Sequence, residues 1–330
     1  MHIVKRLRAT VIALGVLAST SASAAYSQLY VFGDSLSDTG NNALVFGSTR
    51  TPDAAITGND FVAVAPYTSG RYSNGPVWAD VFSQQTGFGV LLPSLLGGNN
   101  YAFGGARSSD PSPLPSLSSQ VDAFIAKPGA APSDALYIVA GGGNNVRDTA
   151  TAYAAALAAG TDPSAIIPTA VGGFVTDILS IVGKLKLEGA QKIIVWDTPD
   201  LGLTPAANAA GPAGAALLND ISRAMNAAMF TALAGSGVEI FDVFGLLDRV
   251  AADPGQFGLL NVSDACIGGA CDTATQLFWD GIHPTATGHS VIAQAMVKAA
   301  GLPEPGSLLL VAMSLVFLAG VLRQSRAPRG

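Results

Sequence analysis

A serine and a histidine far apart in the chain have the chemistry to work as a pair. Ser35 lies in Phe32-Gly33-Asp34-Ser35-Leu36-Ser37-Asp38-Thr39-Gly40-Asn41, and His283 in Asp280-Gly281-Ile282-His283-Pro284. Hydroxyl, imidazole and carboxylate are the parts of a nucleophilic relay. The imidazole takes the serine proton, and the carboxylate fixes its tautomer. Histidine is scarce: His2, His283 and His289 are the only three. His2 falls in an N-terminal leader. His289 falls inside a helical pattern, where a surface or packing role is expected. His283 precedes that helix, Pro284 biases it away from helical geometry, and Asp280 is close enough to bind one ring nitrogen. Singly, neither stretch is specific, since Gly, Asp and Ser crowd into ordinary turns for backbone reasons.

The surrounding elements must bring the two together. Leu29-Tyr30-Val31-Phe32 reads as a strand ending at a glycine turn. Ser35 then sits just past a strand's C-terminal end, where open parallel sheets bind ligands. Further strands are predicted over 135–139, 192–196 and 238–242. Helices are predicted over 77–85, 116–126, 149–159, 211–233 and 285–300. Another, over 165–188, is expected to break near Pro168, with Gly189 as its C-cap. Alternating strands and helices predict an α/β domain, a three-layer α/β/α sandwich on a mainly parallel, roughly five-stranded sheet. The stretch 40–75 has no clear period and is expected on the surface near the site. Its Phe46, Phe61, Tyr67 and Tyr72 are expected to line a pocket or pin the loop.

The termini differ from the body. Residues 1–24 carry Lys5, Arg6 and Arg8, then an apolar run and Ala22-Ser23-Ala24. That is the pattern of a secretory signal peptide. Residues 303–330 open with Pro303-Glu304-Pro305, continue through an uncharged run over 307–322 and close with Arg323, Arg326 and Arg329. An apolar helix followed by cations reads as a membrane anchor oriented by its positive charges. Each end takes three cations with it and the tail takes Glu304. Residues 25–302 are left with 11 cations against 22 anions, a net charge of −11. That excludes nucleic acid as a natural partner. Cys266 and Cys271 are the two cysteines, and in an oxidising compartment they are expected to form one disulfide.

Gly33-Asp34-Ser35-Leu36 and Asp280-x-x-His283-Pro284-Thr285 together resemble the GDSL esterase/lipase family, also called SGNH hydrolases. The resemblance extends through Gly70-Arg71-Tyr72-Ser73-Asn74-Gly75 with Trp78, Asn100-Tyr101-Ala102-Phe103-Gly104-Gly105-Ala106, Gly142-Gly143-Asn144-Asn145 and Pro199-Asp200-Leu201-Gly202-Leu203-Thr204-Pro205. It implies a flavodoxin-like fold over 25–302. It also implies Ser35 as nucleophile, His283 as base and Asp280 as its orienting acid. The implied oxyanion hole comprises the Ser35 N–H, Gly105 and Asn144. Gly104 is the alternative if the register slips by one, and Asn145, where the family has aspartate, is the alternative amide. The tail resembles the PEP-CTERM sorting signal of Gram-negative bacteria, which implies an exosortase as processing partner and a surface, periplasmic or matrix destination.

The implied activity is hydrolysis of acyl or lipid esters through an acyl-enzyme on Ser35, with no cofactor and no metal. O-deacetylation of an exopolysaccharide is a second reading, prompted by the tail. An inactive surface-binding protein is a third. No Gly-x-Ser-x-Gly elbow, phosphate loop, EF-hand or zinc pattern competes.

Overall fold

The computed structural model of the protein describes residues 26–46, 67, 70–109, 114–127, 129, 131–267 and 271–302. The expected leader (1–24), the tail with its apolar run (303–330) and Phe61 lie outside these residues.

Strands β1 (Leu29–Gly33), β2 (Leu136–Ala140), β3 (Lys192–Trp196) and β4 (Glu239–Phe241) form one parallel sheet in that spatial order. Leu29 pairs with Leu136, Gly33 with Ala140, and Leu136 with Lys192. A fifth edge runs beside β1. The Val31 N–H donates to the Asn99 carbonyl at 3.1 Å, Tyr101 N–H to Val31 at 2.7 Å, and Phe103 N–H to Gly33 at 3.1 Å. The five expected strands are therefore four regular ones and this irregular edge over 99–103. In chain order the sheet reads 2-1-3-4-5. The connections reverse direction between β1 and β2, and the crevice outside the strand ends at such a point is where ligands bind.

Alternate residues of each strand enter opposite cores. Leu29, Val31, Leu136, Ile138, Ile194 and Trp196 face one side, and Tyr30, Phe32, Tyr137, Val139, Ile193 and Val195 the other. Burial on both faces explains why the strands read as unbroken apolar runs. The helices are α1 (Asn41–Phe46), α2 (Trp78–Gln85), α3 (Leu117–Ile125), α4 (Gly143–Ala158), α5 (Ile166–Leu187), α6 (Pro205–Ala209), α7 (Gly211–Leu233), α8 (Val243–Ala252) and α9 (Ala286–Ala299). Side chains of α2, α8 and α9 fill the first core, and those of α3, α4, α5 and α7 fill the second. A short parallel pair, β5 (Asn261–Ala265) and β6 (Gln276–Phe278), leads into the histidine segment.

Two helices depart from expectation. α4 begins six residues before position 149, at Gly143. Its first turn, Gly-Asn-Asn, lacks an apolar period, and Gly142 caps it with a φ of 113° that favours glycine. Asn144 therefore sits in a helical first turn instead of a loop. α5 does not break at Pro168. The proline falls in the first turn, where backbone N–H groups have no helical partner to lose. Its apolar length would cross a membrane, but Phe174, Ile178, Ile181, Val182 and Leu185 form a single stripe packed in the second core.

Asp197 follows β3 and is 1 % exposed. Its Oδ1 accepts the Val243 and Phe244 N–H groups, at 2.8 and 3.0 Å, at the start of α8. Burial pushes its pKa up to about 7 against those bonds, with neighbouring Asp242 adding to the rise. An unfolded aspartate titrates at about 3.9. Between these values the folded protein keeps a proton that the unfolded chain releases, so this group's contribution to stability is lost as pH rises from about 4 to 7. Asp197→Asn keeps the Oδ1 acceptor and removes the titration. Thermal melts across pH 4–8 should therefore show a smaller decline in Tm on the alkaline side for the variant than for the parent. A parallel decline would contradict this assignment.

Candidate active site

The β1 strand ends at Gly33 because the chain must turn there in very little space. A Cβ at Gly33 would lie 2.7 Å from the Ala140 carbonyl oxygen and 2.8 Å from the Ser37 side chain. Gln120 of α3 fixes this strand end, its Oε1 accepting the Gly33 N–H and its Nε2 donating to the Gly33 carbonyl, both at 2.9 Å. Asp34 then forms a tight turn, its carbonyl accepting the Ser37 and Asp38 N–H groups. Ser35 projects from that turn. Its Oγ is 2.8 Å from His283 Nε2, and His283 Nδ1 is 2.7 Å from Asp280 Oδ2.

An ionised carboxylate only accepts hydrogen bonds, so Asp280 places the ring proton on Nδ1 and leaves Nε2 free to accept from Ser35. Asp280 is itself fully occupied. Its Oδ1 accepts the Ile282 and His283 N–H groups at 2.8 and 2.7 Å, and its Oδ2 also accepts the Tyr67 hydroxyl at 2.8 Å. Burial pushes the Asp280 pKa up. The charge of His283 and the hydrogen bonds from its ring and from the two backbone N–H groups outweigh that and hold it below the ordinary carboxylate value. Tyr72 stacks on the imidazole with ring centroids 5.5 Å apart. Tyr67 and Tyr72, read in the sequence as pocket-lining or loop-pinning, thus hold the acid–histidine pair.

The nucleophile turn is knitted to the edge segment by polar side chains. Asp38 accepts the N–H groups of Gly40, Asn41, Asn42 and Gly104, and burial still pushes its pKa up to about 6. Asn41 donates to the Asn100 and Ala102 carbonyls, and Asn42 to the Gly104 carbonyl and the Tyr72 hydroxyl. The 70–78 stretch ties this turn to the histidine loop. Trp78 Nε1 donates to Ser37 Oγ, Ser73 Oγ donates to the Pro284 carbonyl, and Asn74 Oδ1 accepts the Ala286 N–H. Isolated Asp, Asn and Ser residues at turns carried no signal of these long-range roles in the sequence.

The two register alternatives separate in the structure. Gly104 N–H is already bound to Asp38 at 3.0 Å, whereas the N–H groups of Gly105 and Ser35 donate to no protein group among the described residues. Gly105 occupies the third position of a turn closed by the Ala106 N–H on the Phe103 carbonyl, with φ 81° as a type II turn requires. Asn144 donates one Nδ2 hydrogen to the Ala106 carbonyl at 2.9 Å, which leaves its second for the site. Asn145 faces elsewhere. Its Oδ1 accepts the Ser108 N–H at 3.0 Å, its Nδ2 donates to Ser108 Oγ at 2.9 Å, and that hydroxyl donates to Asp177 at 2.6 Å.

Ser35, Asn144 and His283 open on one apolar cavity of about 60 Å³, with Leu36, Pro199, Leu201, Val243, Leu247, Phe278, Ile282 and Ile292 on its walls. Gly105 is buried and is not part of the lining of this cavity. The Asp34 carboxyl, also on the wall, is pushed up to about 6 by burial, against the Leu36 N–H bond and the charge of His283. Ser35 therefore borders a poorly solvated place, where fixed hydrogen-bond donors act strongly on a charge. His289 is not a surface residue: it is fully buried, neither ring nitrogen has a hydrogen-bond partner among the described residues, and burial pulls its pKa down to about 3. It takes no part in the Ser35–His283–Asp280 chain. Cys266 and Cys271 are joined as a disulfide. Among the described residues no three His, Cys, Asp or Glu side chains are grouped to hold a metal ion.

Comparison with known proteins gives consistent matches. The GDSL-like Lipase/Acylhydrolase family profile matches residues 29–296. A GDSL esterase/lipase of Arabidopsis thaliana is 26% identical over 316 residues, covering 82% of this chain and 88% of the relative. A phosphatidylcholine-sterol acyltransferase of Aeromonas hydrophila is 27% identical over 268 residues, covering 78% of this chain and 71% of the relative. Among solved structures, an α/β hydrolase from a lake metagenome superimposes with a TM-score of 0.46 at 16% identity, covering 85% of this chain and 98% of that one.

The Asn145 clamp predicts the effect of one substitution. Asn145→Asp would lose the donor to Ser108 Oγ and set a second carboxylate beside a hydroxyl already bound to Asp177. Stability should fall by about 1–3 kcal/mol, the usual penalty for an unpaired buried polar group. Denaturant unfolding measures it, and an unchanged midpoint would show that the clamp is idle.

Proposed function

The chain belongs to the family of GDSL-like lipases and acylhydrolases, and on that premise we propose that it is an exported serine hydrolase cleaving acyl esters through a covalent Ser35 intermediate. The observation that carries this reading is the unbroken line from Ser35 Oγ through His283 to Asp280, with spacings of 2.8 and 2.7 Å. As Ser35 Oγ attacks the ester carbonyl carbon, its proton passes to His283 Nε2. Asp280 stabilises the imidazolium and keeps its orientation. Negative charge on the carbonyl oxygen is met by the N–H groups of Ser35 and Gly105 and by Asn144 Nδ2. His283 then protonates the leaving alcohol oxygen as the carbon–oxygen bond breaks. Water, deprotonated by the same nitrogen, releases the acid and restores Ser35.

The apolar walls of the cavity beside Ser35 suit a hydrocarbon chain, which favours acyl or lipid esters over acetylated polysaccharide. Export is supported by the leader over 1–24 and by the disulfide between Cys266 and Cys271, which suits an oxidising compartment. The tail over 303–330 supports sorting by an exosortase-type enzyme in a Gram-negative cell envelope, with anchoring by 307–322 before or without cleavage. The destination is then the cell surface, periplasm or extracellular matrix.

A p-nitrophenyl ester series from acetate to dodecanoate, run beside acetylated glycans, tests the reading. Turnover should rise with chain length beyond acetate. Ser35→Ala should lower kcat by on the order of 10⁴–10⁶, and Asn144→Ala by on the order of 10²–10³ with a much smaller change in KM. Glycan deacetylation outrunning every acyl ester would move the substrate class to polysaccharide. Full activity in Ser35→Ala would refute the mechanism.

A further inference from the structure

The Asp280 carboxylate has its acceptor sites filled from two different parts of the chain. Its oxygens offer about four lone-pair positions, and four donors occupy them. The Ile282 N–H, the His283 N–H and His283 Nδ1 belong to the 280–283 loop itself. They close that loop on the carboxylate and move with it. The fourth donor is the Tyr67 hydroxyl, 213 residues earlier in the chain and 2.8 Å from Oδ2. Among the described residues it is the donor that ties this carboxylate to the rest of the protein.

Tyr67 is itself buried and held. Its ring meets Tyr72 edge to face with centroids 6.4 Å apart, and Tyr72 in turn stacks on His283. Ile267 and Trp279 pack against the two tyrosines. The Ile267 N–H donates to the Trp279 carbonyl and the Trp279 N–H to the His283 carbonyl, both at 2.7 Å. A packed ring thus aims the hydroxyl at the same oxygen that accepts the imidazole N–H. Hydrogen bonds to a carboxylate stabilise its charge. An oxygen stabilised in this way pulls less on a neighbouring proton. The bond therefore fixes the carboxylate and tempers its hold on a protonated ring.

We propose that Tyr67 is a positioning residue for the catalytic histidine: its hydroxyl holds the Asp280 carboxylate in line with the His283 ring and limits how tightly that carboxylate keeps the ring protonated. This rests on the Ser35–His283–Asp280 mechanism proposed above. Tyr67 is not on the wall of the cavity beside Ser35 and moves no proton. Other groups also face the pair. Asp34 and Arg147 act on it by charge, His289 lies buried within electrostatic reach of both members, and Tyr72 covers the ring. Tyr67→Phe leaves all of these in place, keeps the ring and removes one hydroxyl. A difference between the pH profiles of parent and variant then belongs to that hydroxyl.

The test follows p-nitrophenyl octanoate hydrolysis across pH 4–9 in the full chain and in Tyr67→Phe. In the variant kcat should fall by about 10- to 100-fold, the scale on which a misplaced catalytic group costs rate, with KM changed by less than about two-fold. The acidic limb of kcat/KM should move to higher pH by about half a unit to one unit, because His283 acts as a base only once it has lost its proton. A double-mutant cycle supplies a second readout. Asp280→Asn removes the charge that Tyr67 tempers, so adding Tyr67→Phe to it should cost much less than in the parent. An acidic limb that stays in place, whatever happens to Tm, would assign Tyr67 a packing role and overturn the proposal. Full additivity in the cycle would overturn it too. A parent chain whose Ser35 does not react with a fluorophosphonate would instead remove the mechanism beneath it, and the proposal with it.

Discussion

A hydrogen bond of 2.8 Å between Ser35 and His283 joins chain segments 248 residues apart. Much of the polar interior serves to hold its two ends still. A hydroxyl–imidazole bond is worth little net in water, roughly 1 kcal/mol, and cannot by itself gather segments so distant. The sheet does the gathering. It places the β1 turn at the switch point, and α9 packs its Ile292 and Met296 into the core that β1 also enters. Polar groups then set the fine position. Gln120 holds the strand end, Asp38 and Asn42 tie the turn to the edge segment, and Ser73 and Asn74 hold the histidine loop.

This division of labour accounts for several fully buried acids. Asp34, Asp38, Asp197 and Asp280 are each 3 % exposed or less. Each accepts backbone N–H groups at a turn or helix start, where unpaired donors would otherwise be left in a dry interior. Asp280 differs from the other three because it is hydrogen-bonded directly to the His283 ring, and its pKa moves down while theirs move up. Opposite shifts in a shared apolar setting separate the carboxylate that stays charged beside His283 from those that mainly hold backbone.

Much of this was legible in the chain. The apolar runs of β1, β2 and β3 and the period of α7 marked the layers, because burial on two faces or one stripe leaves a local pattern. Ser35, His283 and Asp280 were singled out by their chemistry, the scarcity of histidine and the family resemblance, and the structure brings the three within hydrogen-bonding reach. What stayed hidden was long-range. Tyr67 on Asp280 and Gln120 on Gly33 are single polar residues with no local periodicity. Their partners lie 213 residues away for Tyr67 and 87 for Gln120. The start of α4 was missed because glycine and asparagine mask helix onset. Asn144 and its alternative Asn145 part company once Ala106 and Ser108 are placed.

Labelling with a fluorophosphonate followed by peptide mapping tests the central claim most directly, since the reagent reports an activated serine and needs no guess at the substrate. The account predicts one adduct, on Ser35, formed rapidly in the parent protein and lost in His283→Ala with the fold intact. An adduct on another serine, or equal labelling of Ser35 without His283, would contradict it.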